Sequence, residues 1–600
     1  MNAVSEIQFA VLPSEETPDF PSPSIIDSRR LLGPNFYSAR PGALLEVRGD
    51  VPRLDALLEA WAARARELLD ALGWDANSAE VQVRRSGGNA TMFFAAAIDV
   101  LMTATEVNEQ AWVTAESGGR VKSDSAIVAT LRATATAERV TRKNLVEVFE
   151  RALAKGLSPV FDDESLTVGA GKGAQTWPID AVPAVDAVSW KAITGVPISL
   201  VTGSNGKTTT TRLVAAMWRT AGRVAGLSCS DGVWVEDDRI ESGDYAGPAG
   251  ARAVLRDPRI EAAVLETARG GVMRRGLAVH RANAAIITNI VADHFGEYGL
   301  DNLQDLAEAK RVVIKALGAD GRLVLNADDP MLVKLARGLT IPISWFSVAP
   351  ANSIIDAHAA SGGDVAAVQD GRVMLHRGRW HDLGAIDAMP LTLRGAARHN
   401  VENILGACLL AVASGVPVQS LRATLVKFGS AASDNPGRLQ AYRFGGATVL
   451  VDFAHNPDGL AALTETAKTI AATRRLLLLG QAGNRDDTQL RALVRAAWSV
   501  MPFDRVIVKE MPTLLRGRAP GELPRIFSDE LVKVGLPKTQ IEVVDGELAA
   551  LRRAFAWARN GDLLVCPVHV EKAAVIAWLE QLRAAGWKAG DKLPGVASRK

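Results

Sequence analysis

A glycine-rich segment, Gly203-Ser204-Asn205-Gly206-Lys207-Thr208, lies between the apolar run 196–202 and a run typical of a helix. Glycines let the backbone close around phosphate oxygens, and amides at the start of a helix donate hydrogen bonds to them. A lysine at this place offsets charge on the β- and γ-phosphates, and the threonine hydroxyl after it is a ligand for Mg²⁺. The segment is one residue shorter than the common GxxxxGK[ST] loop, and the alternative is a glycine turn without a ligand. Strand, turn and helix together predict an ATP site over Gly203–Thr209.

The composition narrows the class of protein. The chain has 600 residues, 48% hydrophobic and 22% charged, which excludes a mostly disordered protein. Lysine and arginine number 68 against 67 acidic residues, so binding of nucleic acid through bulk charge is excluded. No apolar run reaches the roughly 18 residues of a membrane span. Three dispersed cysteines outside any CxxC pair favour buried thiols in a reducing compartment. We therefore expect a cytoplasmic multidomain protein.

The first 192 residues are predicted to form a tail, a small domain and a linker. Residues 1–23 are acidic and rich in proline and serine, which is typical of a flexible tail and not of a signal peptide. Residues 24–161 are predicted to form an α+β domain. Its helices are expected at 54–74, 87–104 and 138–156, and alternating runs typical of strands occur at 79–86 and 109–117. Residues 162–192 are punctuated by glycine and proline and are interpreted as a linker.

The rest of the chain alternates short apolar runs with helical ones. Runs at 196–202, 261–268, 284–290 and 321–328 predict a mostly parallel sheet with helical crossovers, and 363–394 resembles hairpins. A second α/β pattern begins near 437, with strands expected at 447–453, 474–480, 504–510, 540–545 and 562–568. We therefore predict a multidomain α/β protein with a central phosphate-loop domain over 193–435 and a Rossmann-like C-terminal domain over 436–600.

A phosphate loop alone does not name a reaction, but four further motifs follow it in order. They are Asp293-His294 with Lys310 sixteen residues beyond, His399-Asn400-x-x-Asn403, Pro436-Gly437-Arg438, and Asp452-Phe453-Ala454-His455-Asn456-Pro457. The series resembles the Mur ligase family of ATP-dependent amide-forming ligases over roughly residues 193–570. Within that family, 242–277, 515–522 and 25–48 are similar to cyanophycin synthetases. Those enzymes have an ATP-grasp domain where this chain has only the stretch 162–192. Since that domain extends the polyaspartate backbone, the chain is not expected to make cyanophycin by itself.

The resemblance assigns roles to individual residues. It implies that Thr208 and Glu266 hold one Mg²⁺ and that His294, oriented by Asp293, holds another. Lys310 matches a lysine that many relatives carry as a metal-binding carbamate, and an unmodified surface lysine is the alternative. The implied catalytic set is Lys207, Glu266, His294 and Lys310. Asn400 and Asn403 are expected near adenine, with helix capping as the alternative for Asn400, and Arg438 and Asp452 near the phosphates and ribose.

Substrate residues are less sharply indicated. Arg269 and Arg274 lie in a segment with several arginines, and guanidinium groups match carboxylates. A solvated basic turn is the alternative. The resemblance also implies contacts from Arg516 and Arg518 to the incoming amino acid, and His455 is expected in a loop over the site, with a structural role as the alternative.

Together these features predict an ATP-dependent carboxylate–amine ligase that forms an amide through an acyl phosphate. Its substrates are expected to be ATP with Mg²⁺, an amino acid and a peptide-like carboxylate, without nucleic acid or membrane. A homo-oligomer is expected from the relatives. The alternatives are a phosphate-loop NTPase, or a nucleotide-gated accessory protein that binds an acidic peptide for a separate ATP-grasp enzyme. A folate-type polyglutamate ligase shares the core, but the N-terminal match is not expected there.

Overall fold

The computed structural model describes residues 23–49, 51–293 and 295–594. These residues form two compact units. The larger unit contains residues 23–390 and 400–428, and the smaller unit contains residues 391–399 and 429–594. The predicted tail, 1–23, lies outside the described residues except for its last position, and the predicted domain boundaries stay predictions.

The larger unit begins with an antiparallel sheet, here called the N-terminal sheet. Its strands are β1 (Ser24–Leu31), β2 (Gly42–Arg48), β3 (Gln82–Ser86) and β4 (Asn89–Ala95), in the order β1-β2-β4-β3. The helices of this part are α1 (Val51–Ala71), α2 (Leu101–Glu116), α3 (Ala126–Thr141) and α4 (Leu145–Ala154). Leu45, Met92 and Phe94 on one face of the sheet share an apolar cluster with Trp61 of α1 and Trp112 of α2. That cluster fixes α1 and α2 on the sheet.

Three predictions in this region differ from the structure. Residues 87–104 do not form one helix, because 89–95 are β4 and α2 begins only at Leu101. Residues 109–117, predicted as a strand-like run, belong almost entirely to α2. Strand β4 pairs on both sides and is buried along nearly its whole length, and its second half opens the continuous apolar run 92–98. Such a run does not distinguish a central strand from a buried helix. The helix predicted over 138–156 is interrupted before Leu145, where Asn144 has φ +67°. The helix predicted over 54–74 is confirmed as α1.

The stretch predicted as a linker, 162–192, is folded. It contributes β6 (Ser165–Val168) and β7 (Gln175–Pro178), which follow β5 (Val160–Phe161) in a small antiparallel sheet. Leu166, Val168 and Ile179 are buried in the same cluster as Trp61. The apolar residues between the glycines and prolines therefore pack onto the N-terminal core.

An eleven-stranded sheet forms the centre of the larger unit, in the order β11-β10-β9-β12-β8-β13-β14-β15-β16-β17-β18. The strands are β8 (Ile198–Thr202), β9 (Ala225–Cys229), β10 (Gly232–Val235), β11 (Asp238–Ser242), β12 (Ala262–Glu266), β13 (Ala282–Ile287), β14 (Leu317–Asn326), β15 (Ile343–Ser347), β16 (Val365–Gln369), β17 (Arg372–Arg377) and β18 (Arg379–Ala385). The helices are α5 (Lys207–Thr220), α6 (Pro248–Arg256), α7 (Arg269–Arg275), α8 (Leu303–Arg311), α9 (Pro330–Ala336), α10 (Ser353–Ala360), α11 (Arg398–Ser414) and α12 (Val418–Leu425). Pairing is parallel from β9 to β16 and antiparallel at both ends. The predicted parallel sheet and the hairpins near 363–394 are confirmed.

The smaller unit contains a second, six-stranded sheet in the order β19-β20-β24-β21-β22-β23. Its strands are β19 (Gln440–Phe444), β20 (Ala447–Asp452), β21 (Arg475–Leu479), β22 (Arg505–Glu510), β23 (Ile541–Asp545) and β24 (Leu563–Pro567). Its helices are α13 (Pro457–Lys468), α14 (Asp487–Val500), α15 (Glu522–Lys533), α16 (Glu547–Trp557) and α17 (Lys572–Ala584). Only β19 pairs antiparallel. All five strands predicted here are confirmed, and so is the multidomain α/β fold.

The three cysteines are buried free thiols. In the part of the chain that the structure describes, no helix has the length and apolar character needed to cross a membrane.

Burial of His280 makes stability depend on pH. Its ring packs edge-on against the ring of Phe149, with the two ring centroids 4.9 Å apart. Burial lowers the pKa of His280 from 6.5 to about 4. The neutral ring therefore contributes stability above pH 6.5 that is lost as the pH falls from about 6.5 towards about 4. We expect acidification from pH 7 to pH 4.5 to cost the wild type about 2 kcal/mol more than His280→Phe. Melting curves at the two pH values measure this, and His381→Phe, on the edge strand β18, serves as the control. Equal losses in wild type and His280→Phe would contradict the prediction.

Candidate active site

The predicted phosphate loop connects β8 to α5 and turns at two glycines. Gly203 has φ +147° and Gly206, immediately before α5, has φ +84°. A Cβ on Gly206 would lie 2.1 Å from Oδ1 of Asn403, so no larger residue fits without displacing that side chain. Lys207 Nζ donates to the carbonyl oxygens of Gly203 (3.1 Å) and Ser204 (2.9 Å). The lysine therefore lies folded over the loop.

Residues that follow β13 hold the loop from one side. The Ser204 N–H donates to the carbonyl of Asn289 (3.0 Å), and the Asn205 N–H donates to its Oδ1 (2.8 Å). Thr288 Oγ1 donates to the carbonyl of Asn205 (2.6 Å). β8 and β13 are neighbours in the sheet, and these bonds fix the loop at their carboxyl ends.

Three oxygen-bearing side chains meet beside the loop. Thr208 Oγ1 donates to Glu266 Oε2 (2.8 Å) and lies 3.1 Å from Ser230 Oγ. The Ser230 N–H points to the same carboxylate oxygen (3.3 Å), and Glu266, the last residue of β12, is 3% exposed. Within the described ranges no group of three or more His, Cys, Asp or Glu side chains is placed to hold a metal. Hydroxyl and carboxylate oxygens are ligands that Mg²⁺ prefers, so this set fits that ion.

Lys310 is buried in the last turn of α8. Burial, and then the positive charge of Lys207, hold the pKa of its amine well below that of an ordinary lysine, with Arg269 adding to the effect and Asp293 opposing it. The structure thus brings together Lys310, Lys207, Arg269 and Asp293 from four separate parts of the sequence. His294 lies outside the described residues, and its role stays a prediction.

Asn400 and Asn403 lie on α11 and are both buried. Asn403 Nδ2 donates to Asn400 Oδ1 (3.1 Å), and Asn403 lies against Gly206. Since α11 begins at Arg398, Asn400 lies inside the helix rather than at its cap. Asn403 therefore belongs to the surroundings of the phosphate loop.

The other two predicted nucleotide residues lie together in the smaller unit. Asp452 is the last residue of β20, and its Oδ2 accepts a hydrogen bond from the Leu439 N–H (2.7 Å). The neighbouring Arg438 places its guanidinium 4.2 Å from the ring centroid of Phe453. Each residue thereby helps to hold the segment that contains the other.

The loop that follows Asp452 is structurally fixed. Asn456 is fully buried and caps α13, because its Oδ1 accepts the Gly459 N–H (2.8 Å). The carbonyl oxygen of His455 accepts a hydrogen bond from the Gln481 amide, and its Nδ1 lies 3.2 Å from the carbonyl of Phe453.

The candidate substrate arginines already have protein partners. Arg269 pairs with Glu297 and lies 5.6 Å from the ring of Tyr298, whereas Arg274 is exposed and donates to the carbonyl of Gly270. Arg518 donates to the carbonyl oxygens of Gly483 (3.0 Å) and Arg485 (2.6 Å) and to Asp487 (2.9 Å). Arg516 has φ +52° in the same loop. Arg518 thus holds the 483–487 loop in place, and substrate contacts from these arginines stay predictions.

A buried ion pair supports this edge of the smaller unit. Lys509 Nζ donates to Glu547 Oε1 and to the carbonyl of Pro567 (2.6 Å), and it lies 3.4 Å from His569 Nδ1. Glu547 also accepts the N–H groups of residues 569, 570 and 571. His569 Nε2 lies 3.0 Å from the carbonyl of Ala454, and a carbonyl only accepts, so the ring is protonated at Nε2 and receives Lys509 at Nδ1. The cluster therefore reaches the loop after Asp452.

Sequence reasoning did not find Ser230 or the Lys509–Glu547–His569 cluster. Ser230 follows the apolar run 225–229, which is β9, a neighbour of β12. Identification of that run as a strand would have indicated Ser230, since ligands bind at the carboxyl ends of parallel strands. The cluster has no spacing signal, because its members come from three separate elements.

Comparison with known proteins identifies the class. Residues 201–411 match the Mur ligase middle domain, and residues 437–567 match the Mur ligase glutamate ligase domain. The two stretches make up more than half of the chain and include the phosphate loop, Glu266, Lys310 and Asp452. The chain belongs to the Mur ligase family.

Within this class, cyanophycin synthetases are among its relatives. That of Trichormus variabilis is 35% identical over 389 residues, which are 64% of this chain and 43% of that protein. That of Crocosphaera subtropica is 37% identical over 381 residues, 63% of this chain and 43% of that protein. The match thus spans less than half the length of these relatives. The UDP-N-acetylmuramoyl-L-alanyl-D-glutamate–2,6-diaminopimelate ligase of Lactiplantibacillus plantarum is 25% identical over 378 residues, 61% of this chain and 71% of that protein.

The buried pair predicts a large effect on stability. Lys509→Met leaves the Glu547 carboxylate buried without its cation, and we expect the smaller unit to lose about 3–5 kcal/mol. Lys533→Met is the matched control, because Lys533 is 65% exposed at its pair with Glu530 and should cost less than about 1 kcal/mol. Hydrogen exchange of β22 and β24 under increasing urea measures both. A loss below about 1 kcal/mol for Lys509→Met would show that the pair is not the support described.

Proposed function

We propose that the protein is an ATP-dependent ligase that joins a carboxylate to the amine of an amino acid and releases ADP and phosphate. The observation that most supports this is the group of cations beside the phosphate loop, where Lys207 and Arg269 lie near enough to Lys310 to affect its protonation. Hydrolysis of ATP needs only water as the second reactant. Arg269 pairs with Glu297 in this structure, but its guanidinium is also a group that a second anion, such as a carboxylate, would bind.

The proposed reaction follows from the chemistry of its three substrates, ATP, a carboxylate and an amine. A carboxylate oxygen attacks the γ-phosphorus, the β–γ P–O bond breaks, and ADP leaves. The amine nitrogen then attacks the acyl carbon, phosphate leaves with the electron pair, and the nitrogen loses a proton to solvent. Lys207 and the loop amides offset charge as ADP departs, and Arg269 orients the acceptor carboxylate. Thr208, Glu266 and Ser230 would hold Mg²⁺, which when bound neutralises charge on the phosphate oxygens.

We also propose that Lys310 is carbamylated. Its lowered pKa raises the fraction of neutral amine, which is the form that attacks the carbon of CO₂. The N–C bond forms, a carbonyl electron pair moves to oxygen, and the nitrogen loses a proton. The product is an anion, which reverses the charge next to Lys207 and Arg269. A carbamate there would be attracted to Lys207 and Arg269, whereas a buried ammonium is disfavoured.

The ligase proposal is tested by phosphate release from ATP and Mg²⁺ across amino acids paired with short acidic peptides, with product masses read in parallel. We expect release that requires both an amine and a carboxylate, with a product mass equal to the two substrates minus water. Lys207→Ala is the blank and should lose at least about a hundredfold in kcat/KM. Release that ignores the panel would identify an NTPase instead.

Carbamylation has a readout that does not depend on turnover. The wild-type protein in ¹³C-bicarbonate should show one carbamate carbon resonance by NMR, and Lys310→Arg should abolish it, because a guanidinium does not react with CO₂. Lys315→Arg is the control, since Lys315 is a second partly buried lysine, with a pKa lowered to about 8 by burial. A resonance that persists in Lys310→Arg would refute the assignment.

A further inference from the structure

The N-terminal sheet contacts two of the helices of the larger unit that contain candidate site residues. These are α7, with Arg269 and Arg274, and α8, with Lys310. The contacts come from residues 32–36, here called the docking loop, and from β3. The proposed chemistry does not use these contacts, although they are made to the helices that contain Arg269 and Lys310.

The docking loop binds the end of α7 through backbone groups. The Leu32 N–H donates to the carbonyl of Arg275 (2.9 Å), and the Leu277 N–H donates to the carbonyl of Pro34 (2.7 Å). The first bond satisfies a carbonyl at the helix end that has no partner within the helix. A Cβ on Gly33 would lie 2.2 Å from the Leu277 carbonyl oxygen, so the two backbones approach as closely as glycine permits.

The same loop binds the segment after α8. Lys315 Nζ donates to the carbonyl oxygens of Asn35 (2.7 Å) and Phe36 (3.2 Å). The Asn35 side chain shapes the loop, because its Oδ1 accepts the N–H groups of Tyr37 and Ser38 (2.9 Å each) and its Nδ2 donates to the Gly33 carbonyl (3.0 Å). The Phe36 ring packs against an apolar cluster that includes Met273 of α7 and Ala309 of α8.

Strand β3 adds an ion pair to α8 itself. Arg84 lies 2.7 Å from Asp305 Oδ1, with side chains 20% and 23% exposed, and its guanidinium lies 5.0 Å from the ring centroid of Phe36. The adjacent Arg85 alternates to the other face of the strand and pairs with Asp55 of α1 instead. Of the two arginines, Arg84 is the one whose ion pair with Asp305 joins the sheet to α8.

We propose that Arg84 and the docking loop are positioning elements of the ligase site, setting the spacing between α7, which orients the acceptor carboxylate, and α8, which contains Lys310. This inference rests on the proposed function for its kinetic consequence but not for its structural one. The N-terminal sheet is then part of how the site recognises its acceptor, although its residues do not touch the reacting atoms.

Charge exchange in the full-length chain tests the proposal. Arg84→Glu should raise KM for the carboxylate substrate about tenfold while KM for ATP changes less than about twofold, since a misplaced helix affects acceptor orientation more than the phosphate loop. Arg84→Glu combined with Asp305→Arg should restore at least half of the loss. Arg85→Glu, a neighbour with the same charge change, should leave both KM values unchanged.

Hydrogen exchange gives an answer that does not require ligation. Exchange across 269–277 and 303–311 should rise in Arg84→Glu, return in the exchanged pair and stay at the wild-type level in Arg85→Glu. Unchanged exchange in Arg84→Glu overturns the proposal, and a raised KM for the carboxylate without a change in exchange would show that Arg84 acts on the substrate directly. Wild-type protein that ligates nothing while these exchange changes occur would refute the proposed function and leave the positioning role standing.

Discussion

The hydrogen bond from Thr208 to Glu266 is the contact on which the rest of the site depends. It joins the phosphate loop after β8 to the end of β12, and it exists because the two strands are parallel neighbours with Glu266 opposite Val201. A shift of the pairing by one residue would turn Glu266 to the other face of the sheet. The same register places Arg269 at the start of α7, three residues beyond the carboxylate. One strand pairing therefore sets the positions of both the proposed metal ligands and the proposed acceptor residue Arg269.

The charged side chains near the phosphate loop are buried or half-buried, so solvent screens their charges only in part. Lys207, Arg269 and Lys310 lie on three different elements, and burial makes the ammonium form of Lys310 unfavourable. Arg269 is balanced by Glu297, whereas Lys207 rests on carbonyl oxygens of its own loop. Such an arrangement favours the arrival of anions, and it differs from the smaller unit, where the buried Lys509 has all three of its hydrogen-bond positions occupied by protein groups. In the proposed function the first cluster binds anions, whereas the Lys509 cluster stabilises the fold.

Local sequence patterns predicted the parts of the fold in which period and burial agree. Each strand of the smaller unit is a short apolar run between helices, and all five predicted ones are present. The pattern failed at β4, where Met92, Phe93 and Phe94 are apolar on both faces and resemble a buried helix. In the site, the motifs and the family resemblance indicated Thr208, Glu266 and Lys310, but not the hydrogen bond between Thr208 and Glu266, which depends on strand order. Ser230 and Glu547 were missed because their partners are distant in sequence. Local spacing does not indicate such contacts.

The docking loop has a consequence for divergence among related chains. Its hydrogen bonds to the larger sheet's helices use the N–H of Leu32, which every residue except proline supplies, and the carbonyl oxygens of Pro34, Asn35 and Phe36, which every residue supplies. These hydrogen bonds therefore persist when the side chains of Leu32 and Pro34 change. The positions held constant should be Gly33, for its close approach, and Asn35, for the bonds that shape the loop. An attachment of this kind would survive in homologues whose N-terminal sequences no longer align.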